Sequence, residues 1–165
     1  MNKIWFICKV KFLRNTDGAD SQVTEQFLLD AYNYTEAETR MSKIMEASGQ
    51  TPFEIKQITK TNYAEVIHYD DADYWFKVKV SFVSFDEATG KEKGVNQFFL
   101  MCAGDVEDAT RKTHDFLKST ISGYVIPSVT YTKIVDVFPL AMMSINDMTE
   151  GGMVHGPQKE VPHES

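Results

Sequence analysis

Two stretches of alternating apolar and polar residues, seventy positions apart, dominate the hydrophobic pattern of the chain. In each stretch every second side chain is apolar and lies on one face of an extended strand: Phe6, Cys8, Val10 and Phe12 in the first, and Phe76, Val78, Val80 and Phe82 in the second. Both stretches read Trp-Phe-x-x-Lys-Val-x-Phe. Polar turns at residues 15–18 and 86–90 lead into second apolar segments, so each stretch predicts the first strand of a β-hairpin.

A helix is predicted after each hairpin. Thr35 with Glu38 has the spacing of a helix-start capping box, and Asp105 with Asp108 is a weaker version. Apolar side chains then recur at helical spacing: Ala37, Met41, Ile44 and Met45 in the first helix, and Ala109, Phe116 and Leu117 in the second. Glycine and proline near residues 49–52 and 123–127 end the helices, and a third β segment follows each.

The chain is therefore interpreted as a tandem duplication. Residues 1–70 and 71–138 each form one β-β-α-β repeat, with Gln26-Phe27 aligned to Gln97-Phe98 and Arg40 to Arg111. The predicted fold class is α+β, a mainly antiparallel sheet with two helices packed on one face. We expect the repeats to form one compact body, with a strand order between them that the pattern leaves open. Residues 139–165 form a methionine-rich tail, whose last part is expected to be disordered.

Composition and charge narrow the class of protein. A chain of 165 residues with 42% hydrophobic content can bury a core without disulfides or metals, and Cys8 and Cys102 are interpreted as reduced core residues. The net charge of −7 disfavours a mechanism based on broad neutralisation of a polyanion. The N-terminus lacks the pattern of a secretory signal and no apolar run reaches transmembrane length, so a cytoplasmic location in a bacterial host cell is expected.

The candidate site is the side of the matched first strands that points away from the core. The candidate ligand or partner contacts are Trp5, Lys9, Lys11 and Gln26 in the first repeat, and Trp75, Lys77, Lys79 and Gln97 in the second. Tryptophan, lysine and an amide on one sheet face can stack a ring and bind an anionic group. The alternative is that both tryptophans are buried against the other repeat, a partner or the tail, and that the lysines are ordinary solvated residues.

Other constellations favour structural roles. Glu36 with Arg40 and Glu107 with Arg111 have the spacing of exposed helical ion pairs. The four histidines do not recur at matched positions or at metal-ligand spacing, and no glycine-rich phosphate loop appears. We predict no catalytic residue, metal or cofactor, and the sequence offers no support for an enzyme.

Several ordered motifs resemble an uncharacterised family of Bacteroidetes and their bacteriophages. They are Trp5 with Lys9-Val10, Glu25-Gln26-Phe27-Leu28-Leu29-Asp30-Ala31, Thr35-Glu36-Ala37-Glu38, Trp75-Phe76-Lys77-Val78-Lys79-Val80, Gly90-Lys91-Glu92-Lys93 and Thr132-Lys133-Ile134-Val135-Asp136-Val137-Phe138. The resemblance covers residues 3–138. It implies a phage or mobile-element setting and no activity, since the family is one of unknown function.

Three functional hypotheses remain. The first is a non-enzymatic binding module for a host or phage protein or for a small ligand held between the repeats. The second is an accessory protein that binds single-stranded nucleic acid, which the net charge disfavours. The third is an enzyme of unrecognised mechanism. No membrane partner is expected, and uncovered outermost strands would allow a homodimer.

Overall fold

The computed structural model describes residues 2–120 and 123–140, so the predicted tail from residue 141 onward lies outside the described residues. Eight strands and two helices follow one another in this part of the chain. In chain order they are β1 (Ile4–Thr16), β2 (Ala19–Ala31), α1 (Tyr34–Ala47), β3 (Phe53–Lys60), β4 (Tyr63–Ile67), β5 (Tyr74–Asp86), β6 (Lys91–Ala103), α2 (Val106–Leu117), β7 (Tyr124–Tyr131) and β8 (Ile134–Phe138). The predicted α+β duplication is confirmed, and each repeat contains one more strand than its β-β-α-β pattern indicated.

The first structural unit contains residues 2–62 and 133–140. Its sheet has the order β3-β1-β2-β8, with antiparallel pairing except between β2 and β8, which are parallel. The alternating side chains of β1 face α1, and the core contains Phe6, Cys8, Val10, Phe27, Leu29, Met41, Met45 and Phe138. The helix is held because its apolar stripe covers the apolar side of the hairpin.

The second structural unit contains residues 63–132. Its sheet has the order β4-β6-β5-β7, again antiparallel except for the parallel pair of β4 and β6. The core between this sheet and α2 contains Phe76, Val78, Val80, Phe99, Met101, Ala109 and Leu117. The two units thus repeat one arrangement of four strands and a helix.

The two repeats exchange their last strands. β4 is the last strand of the first sequence repeat but pairs with β6 of the second unit, while β8 is the last strand of the second repeat and pairs with β2 of the first unit. Only two residues separate β3 from β4, and two separate β7 from β8. A boundary between structural units therefore falls at Asn62, whereas the repeat pattern of the sequence runs on to residue 70.

The second strands and the helices of the two repeats correspond at a spacing one residue longer than predicted. The turn of the second hairpin has four residues and that of the first has two, so the spacing between repeats increases from seventy to seventy-two across the hairpin. Phe27 opposite Cys8 corresponds to Phe99 opposite Val78. The matches of Gln26 to Gln97 and of Arg40 to Arg111 were wrong by one residue. A shorter second helix returns the spacing to seventy-one at β3 and β7.

Both helices begin with a side-chain cap. The first cap is Asn33, not Thr35, and its side chain accepts a hydrogen bond from the Glu36 amide, while the Glu36 carboxylate accepts one from the Tyr32 amide. Asp105 caps the second helix as predicted, accepting from the Asp108 amide. α1 ends near the predicted glycine, but α2 ends at Leu117, before the predicted stop near residue 123.

Candidate functional site

The side of each sheet opposite its helix is here called the outer face. Because β1 and β5 alternate and their apolar residues face the helices, the outer face receives Trp5, Ile7, Lys9 and Lys11 from β1, and Trp75, Lys77, Lys79 and Ser81 from β5. The sequence thus placed its tryptophan and lysine candidates on the correct face. Seven of the eight candidate residues lie there, and Gln97 does not.

Each outer face is buried at one end and open at the other. Trp75 is only 4% exposed, and its neighbours Leu100 and Cys102 on β6 are buried as well. Trp5 is half-buried, as are the four candidate lysines farther along the strands. The exposed fraction of the side chains increases from the tryptophans toward the hairpin turns. Trp75 therefore has no ring face open for stacking, and the accessible part of each outer face starts at the lysines.

The tryptophan positions also anchor the strand exchange. Thr61 donates hydrogen bonds from its amide and its hydroxyl to the carbonyl of Trp5, at 2.9 and 2.8 Å. Thr132 makes the same two bonds to the carbonyl of Trp75, at 3.0 and 2.8 Å. Since each threonine directly follows β3 or β7 and precedes the exchanged strand, this matched pair fixes the point at which the chain leaves one sheet.

Lys9 and Lys79 occupy the same strand position in the two repeats. Lys9 lies between Gln26 on β2 and Gln57 on β3, whereas Lys79 lies between Phe98 on β6 and Ser128 on β7. Neither ammonium group forms an ion pair with a carboxylate in residues 2–120 or 123–140. Their cross-strand neighbours are neutral, so neither charge is compensated by a residue directly opposite it.

The remaining candidate lysines differ between the repeats. The ammonium of Lys77 lies 4.6 Å from the ring centre of Phe98, a cation–π contact that holds it against the sheet. Lys11 faces Thr24 and Glu54 across its two neighbouring strands and lines a cleft of about 230 Å³ in the first unit. That volume is below the roughly 300–1,000 Å³ typical of small-ligand pockets. The cleft therefore adds little support for a small-molecule site.

The two glutamines do not form a matched pair. Gln26 faces Lys9 on the outer face and is half-buried. Gln97 faces Val80, a core residue, so it lies on the helix side of its sheet and is exposed. The residue equivalent to Gln26 is Phe98, and the shift arises from the two extra turn residues of the second hairpin.

A buried ion pair that sequence reasoning missed lies in the first unit. Arg40 was expected to pair with Glu36 on the surface, but its guanidinium donates to the carbonyl and the carboxylate of Asp30 and, at 3.0 Å, to the carbonyl of Phe138. Asp30 also accepts a hydrogen bond from the Leu140 amide at 2.7 Å. This pair therefore ties down the end of exchanged strand β8. A carboxylate inside the apolar run Leu28-Leu29-Asp30-Ala31 was the available signal.

Lys112 plays the matching part in the second unit. Its ammonium lies 2.7 Å from a carboxylate oxygen of Asp71, 3.1 Å from one of Asp108 and 4.5 Å from the ring centre of Tyr69. The thiol of Cys102, which is equivalent to Asp30, donates to the carbonyls of Tyr69 and Ala72. Lys112 and Cys102 thus hold the segment after β4, as Arg40 and Asp30 hold the segment after β8. Arg111 pairs on the surface with Asp108 and Asp115, not with Glu107.

Neither cysteine has the environment of a nucleophile. Burial raises the pKa of Cys8 to about 12, against a smaller opposing effect of the Arg40 charge. Burial also raises the pKa of the Cys102 thiol. Both thiols are consequently neutral near pH 7 and serve as small core side chains.

Alkaline conditions are expected to destabilise the wild-type protein more than Cys8→Ala. Below the ordinary thiol pKa of 9.0 the group is neutral in both states and burial costs nothing extra. Between 9.0 and about 12 the unfolded thiol ionises and the folded one does not, so the free energy of unfolding falls as the pH rises. Urea denaturation from about pH 8 to about pH 11 measures both slopes. Tyr63, whose pKa burial also raises, is present in both proteins and cancels. Parallel slopes would contradict the assignment.

The described residues contain neither a group of metal-ligating side chains nor a helix of membrane-spanning length. Within residues 2–120 and 123–140, no group of three or more histidine, cysteine, aspartate or glutamate side chains could hold a metal ion. Neither described helix is long and apolar enough to cross a membrane.

Of three comparisons with known proteins, the one with family models found a match. No curated protein and no solved structure matches the chain. A family model described as "Domain of unknown function (DUF4494)" matches residues 4–140, which include both repeats and both exchanged strands. The chain therefore belongs to the DUF4494 family.

Proposed function

We propose that the protein is a non-enzymatic binding module. Each of its two outer faces, one centred on Lys9 and the other on Lys79, binds an anionic segment of a partner protein. The observation that carries this proposal is the matched pair of lysines. Each is half-buried on an open part of a sheet and makes no ion pair with a described carboxylate, in a chain whose net charge is −7.

The surroundings of the lysines support binding over general solubility. A lysine whose stem packs on the sheet holds its ammonium in a narrower region than a free surface lysine does, so less side-chain freedom is lost on binding. Gln57 beside Lys9 and Ser128 beside Lys79 can donate further hydrogen bonds to a carboxylate. Lys9 and Lys79 are therefore each flanked by a neutral donor.

Single-stranded nucleic acid is the less favoured ligand of this face. Base stacking on aromatic side chains contributes much of the affinity in such proteins. Trp75 is buried and Trp5 is half-buried. The face thus offers charge without a matched pair of stacking rings.

The setting that we propose is a phage or mobile element of Bacteroidetes, with the protein acting in the cytoplasm of the bacterial host. The motif resemblance across residues 3–138 supports this setting, and small acidic proteins made in such settings often act by binding. The partner would then be a host or phage protein.

The double substitution Lys9→Ala/Lys79→Ala is expected to weaken binding of an acidic peptide about tenfold or more, since charge-assisted hydrogen bonds contribute about 1.5–3 kcal/mol each. The probe is a fluorescein-labelled peptide of glutamate and serine, followed by fluorescence anisotropy at low salt. Lys43→Ala/Lys118→Ala is the control, because it removes the same charge from an exposed position of α1 and from the exposed C-cap of α2.

Two outcomes would contradict the proposal. Equal losses in both double variants would show that affinity follows net charge and not the outer faces. A labelled oligothymidine that binds the wild type more tightly than the peptide, and that depends on the same two lysines, would favour nucleic acid instead.

A further inference from the structure

The hairpin of the second unit extends beyond its sheet as a two-stranded arm, here called the second arm (residues 83–94). The last residue of β5 that pairs with β7 is Phe82, and β4 reaches only Phe98 on the other side. On the outer face of this arm Val83 and Phe85 are 44% and 63% exposed. Val125 on β7, opposite Ser81, is 59% exposed on the same face. These three side chains form an exposed apolar strip.

The first unit lacks this strip although it has the same fold. The residues equivalent to Val83, Phe85 and Val125 are Leu13, Asn15 and Glu54. Two of the three are polar. Because both units build the same hairpin, the apolar residues of the second arm are not required by the fold. They point instead to a specialised surface in the second unit.

Glycine at position 94 accommodates the neighbouring side chain of Ser81, whose Oγ would lie only 3.2 Å from a Cβ at this position. Gly94 lies directly opposite Val83 on the outer face, where the first unit has Gln22 opposite Leu13. Its φ is not in the left-handed region, so the turn does not require glycine at this position.

The strip continues the lysine site along a single strand. Alternation places Lys77, Lys79, Ser81, Val83 and Phe85 in sequence on the outer face of β5. Lys79 and Val83 are four residues apart, which corresponds to about 13 Å along a strand. A positive end and an apolar end therefore lie within the span of one short extended peptide.

We infer that the outer face of the second unit binds an extended, acidic-then-apolar segment of a partner protein, with its carboxylates at Lys77 and Lys79 and its apolar side chains on Val83, Phe85 and Val125. This inference rests on the proposed function and adds the chemistry of the partner. Charge complementarity with the lysines requires an acidic end of the segment, and contact with the strip requires an apolar end. The first unit then contributes charge through Lys9 but little apolar selectivity.

A peptide segment fits this surface better than a second copy of the chain does. Three partly exposed side chains offer on the order of 300 Å², whereas a stable dimer buries about 800 Å² on each partner. In such a dimer, Lys77 and Lys79 would also need carboxylates on the second copy of the chain. The net charge of −7 does not define which carboxylates these would be. A short segment needs only the strip and the two ammonium groups.

The test uses three labelled eight-residue peptides and the full chain. The mixed peptide has three acidic residues, a two-residue polar spacer, and Val-Phe-Val; in the acidic-only and apolar-only peptides serine replaces the other block. We expect the mixed peptide to bind most tightly. Val83→Ser/Phe85→Ser should weaken it about tenfold and leave the acidic-only peptide unchanged. Leu13→Ser, at the matched position of the first unit, should change neither. All three substituted residues are exposed, and thermal melts check that folding is intact.

The outcomes separate this inference from the proposed function. If the serine variant binds the mixed peptide like the wild type while Lys9→Ala/Lys79→Ala still weakens it, the inference is overturned and the proposed function stands. If neither variant affects any peptide, both fail. If sedimentation shows a wild-type dimer that Val83→Ser/Phe85→Ser converts to a monomer, the strip is a self-association surface and the inference is overturned.

Discussion

Replacing Phe138 with alanine is expected to lower the free energy of unfolding of the first unit by about 3–5 kcal/mol, the usual cost of removing a buried aromatic ring. Phe138 is 1% exposed at the end of exchanged strand β8, and its ring centre lies 5.8 Å from that of Phe27. No other part of the described chain covers this edge of β2. The cavity would therefore form where the exchanged strand is held.

The measurement follows urea denaturation by tryptophan fluorescence. In a Trp75→Phe background Trp5 is the sole tryptophan and reports on the first unit. The matched control is Ile67→Ala, at the equivalent position of β4, followed by Trp75 in a Trp5→Phe background. Its side chain is half-buried, and the expected loss is about 1–2 kcal/mol. Similar small losses in both variants would show that β8 does not anchor the first unit.

The hairpins and helices could be predicted because their signals are local. Alternation fixes which residues of β1 and β5 face the core, and Asp105 caps its helix through a contact three residues away. The register across the second hairpin could not be predicted in the same way. Gln97-Phe98 imitates Gln26-Phe27 in sequence, and only the pairing of β5 with β6 shows that the turn holds two extra residues.

The strand exchange lies beyond local sequence reasoning. The short runs Tyr63–Ile67 and Ile134–Phe138 carry strand-forming residues, but nothing in five residues indicates which sheet they join. That choice depends on parallel pairing with strands more than thirty residues away. The tryptophans illustrate the same limit. Their face was predicted, but the sequence left open whether they are exposed or buried, and Trp75 is buried while Trp5 is half-buried.

Arg40→Met is expected to cost about 3–5 kcal/mol, the penalty for leaving a buried charge without its partner. The substitution keeps most of the side-chain volume, so packing is largely retained. It leaves Asp30, which is 8% exposed, without its guanidinium and with the Lys3 ammonium 3.7 Å away, and it removes the guanidinium donor from the Phe138 carbonyl. Both losses occur at the end of β8, so hydrogen exchange at the Val137 amide should accelerate together with the loss of stability.

The second unit supplies the control for this prediction. Lys112→Met removes a cation at the equivalent position, but the side chain of Asp71 is 67% exposed and can be hydrated in place. The expected loss is about 1–2 kcal/mol, smaller than for Arg40→Met. Adding Asp30→Asn to Arg40→Met removes the uncompensated charge and should restore part of the stability. Equal losses at Arg40 and Lys112, or no recovery with asparagine, would contradict the assignment of the cost to the buried charge of Asp30.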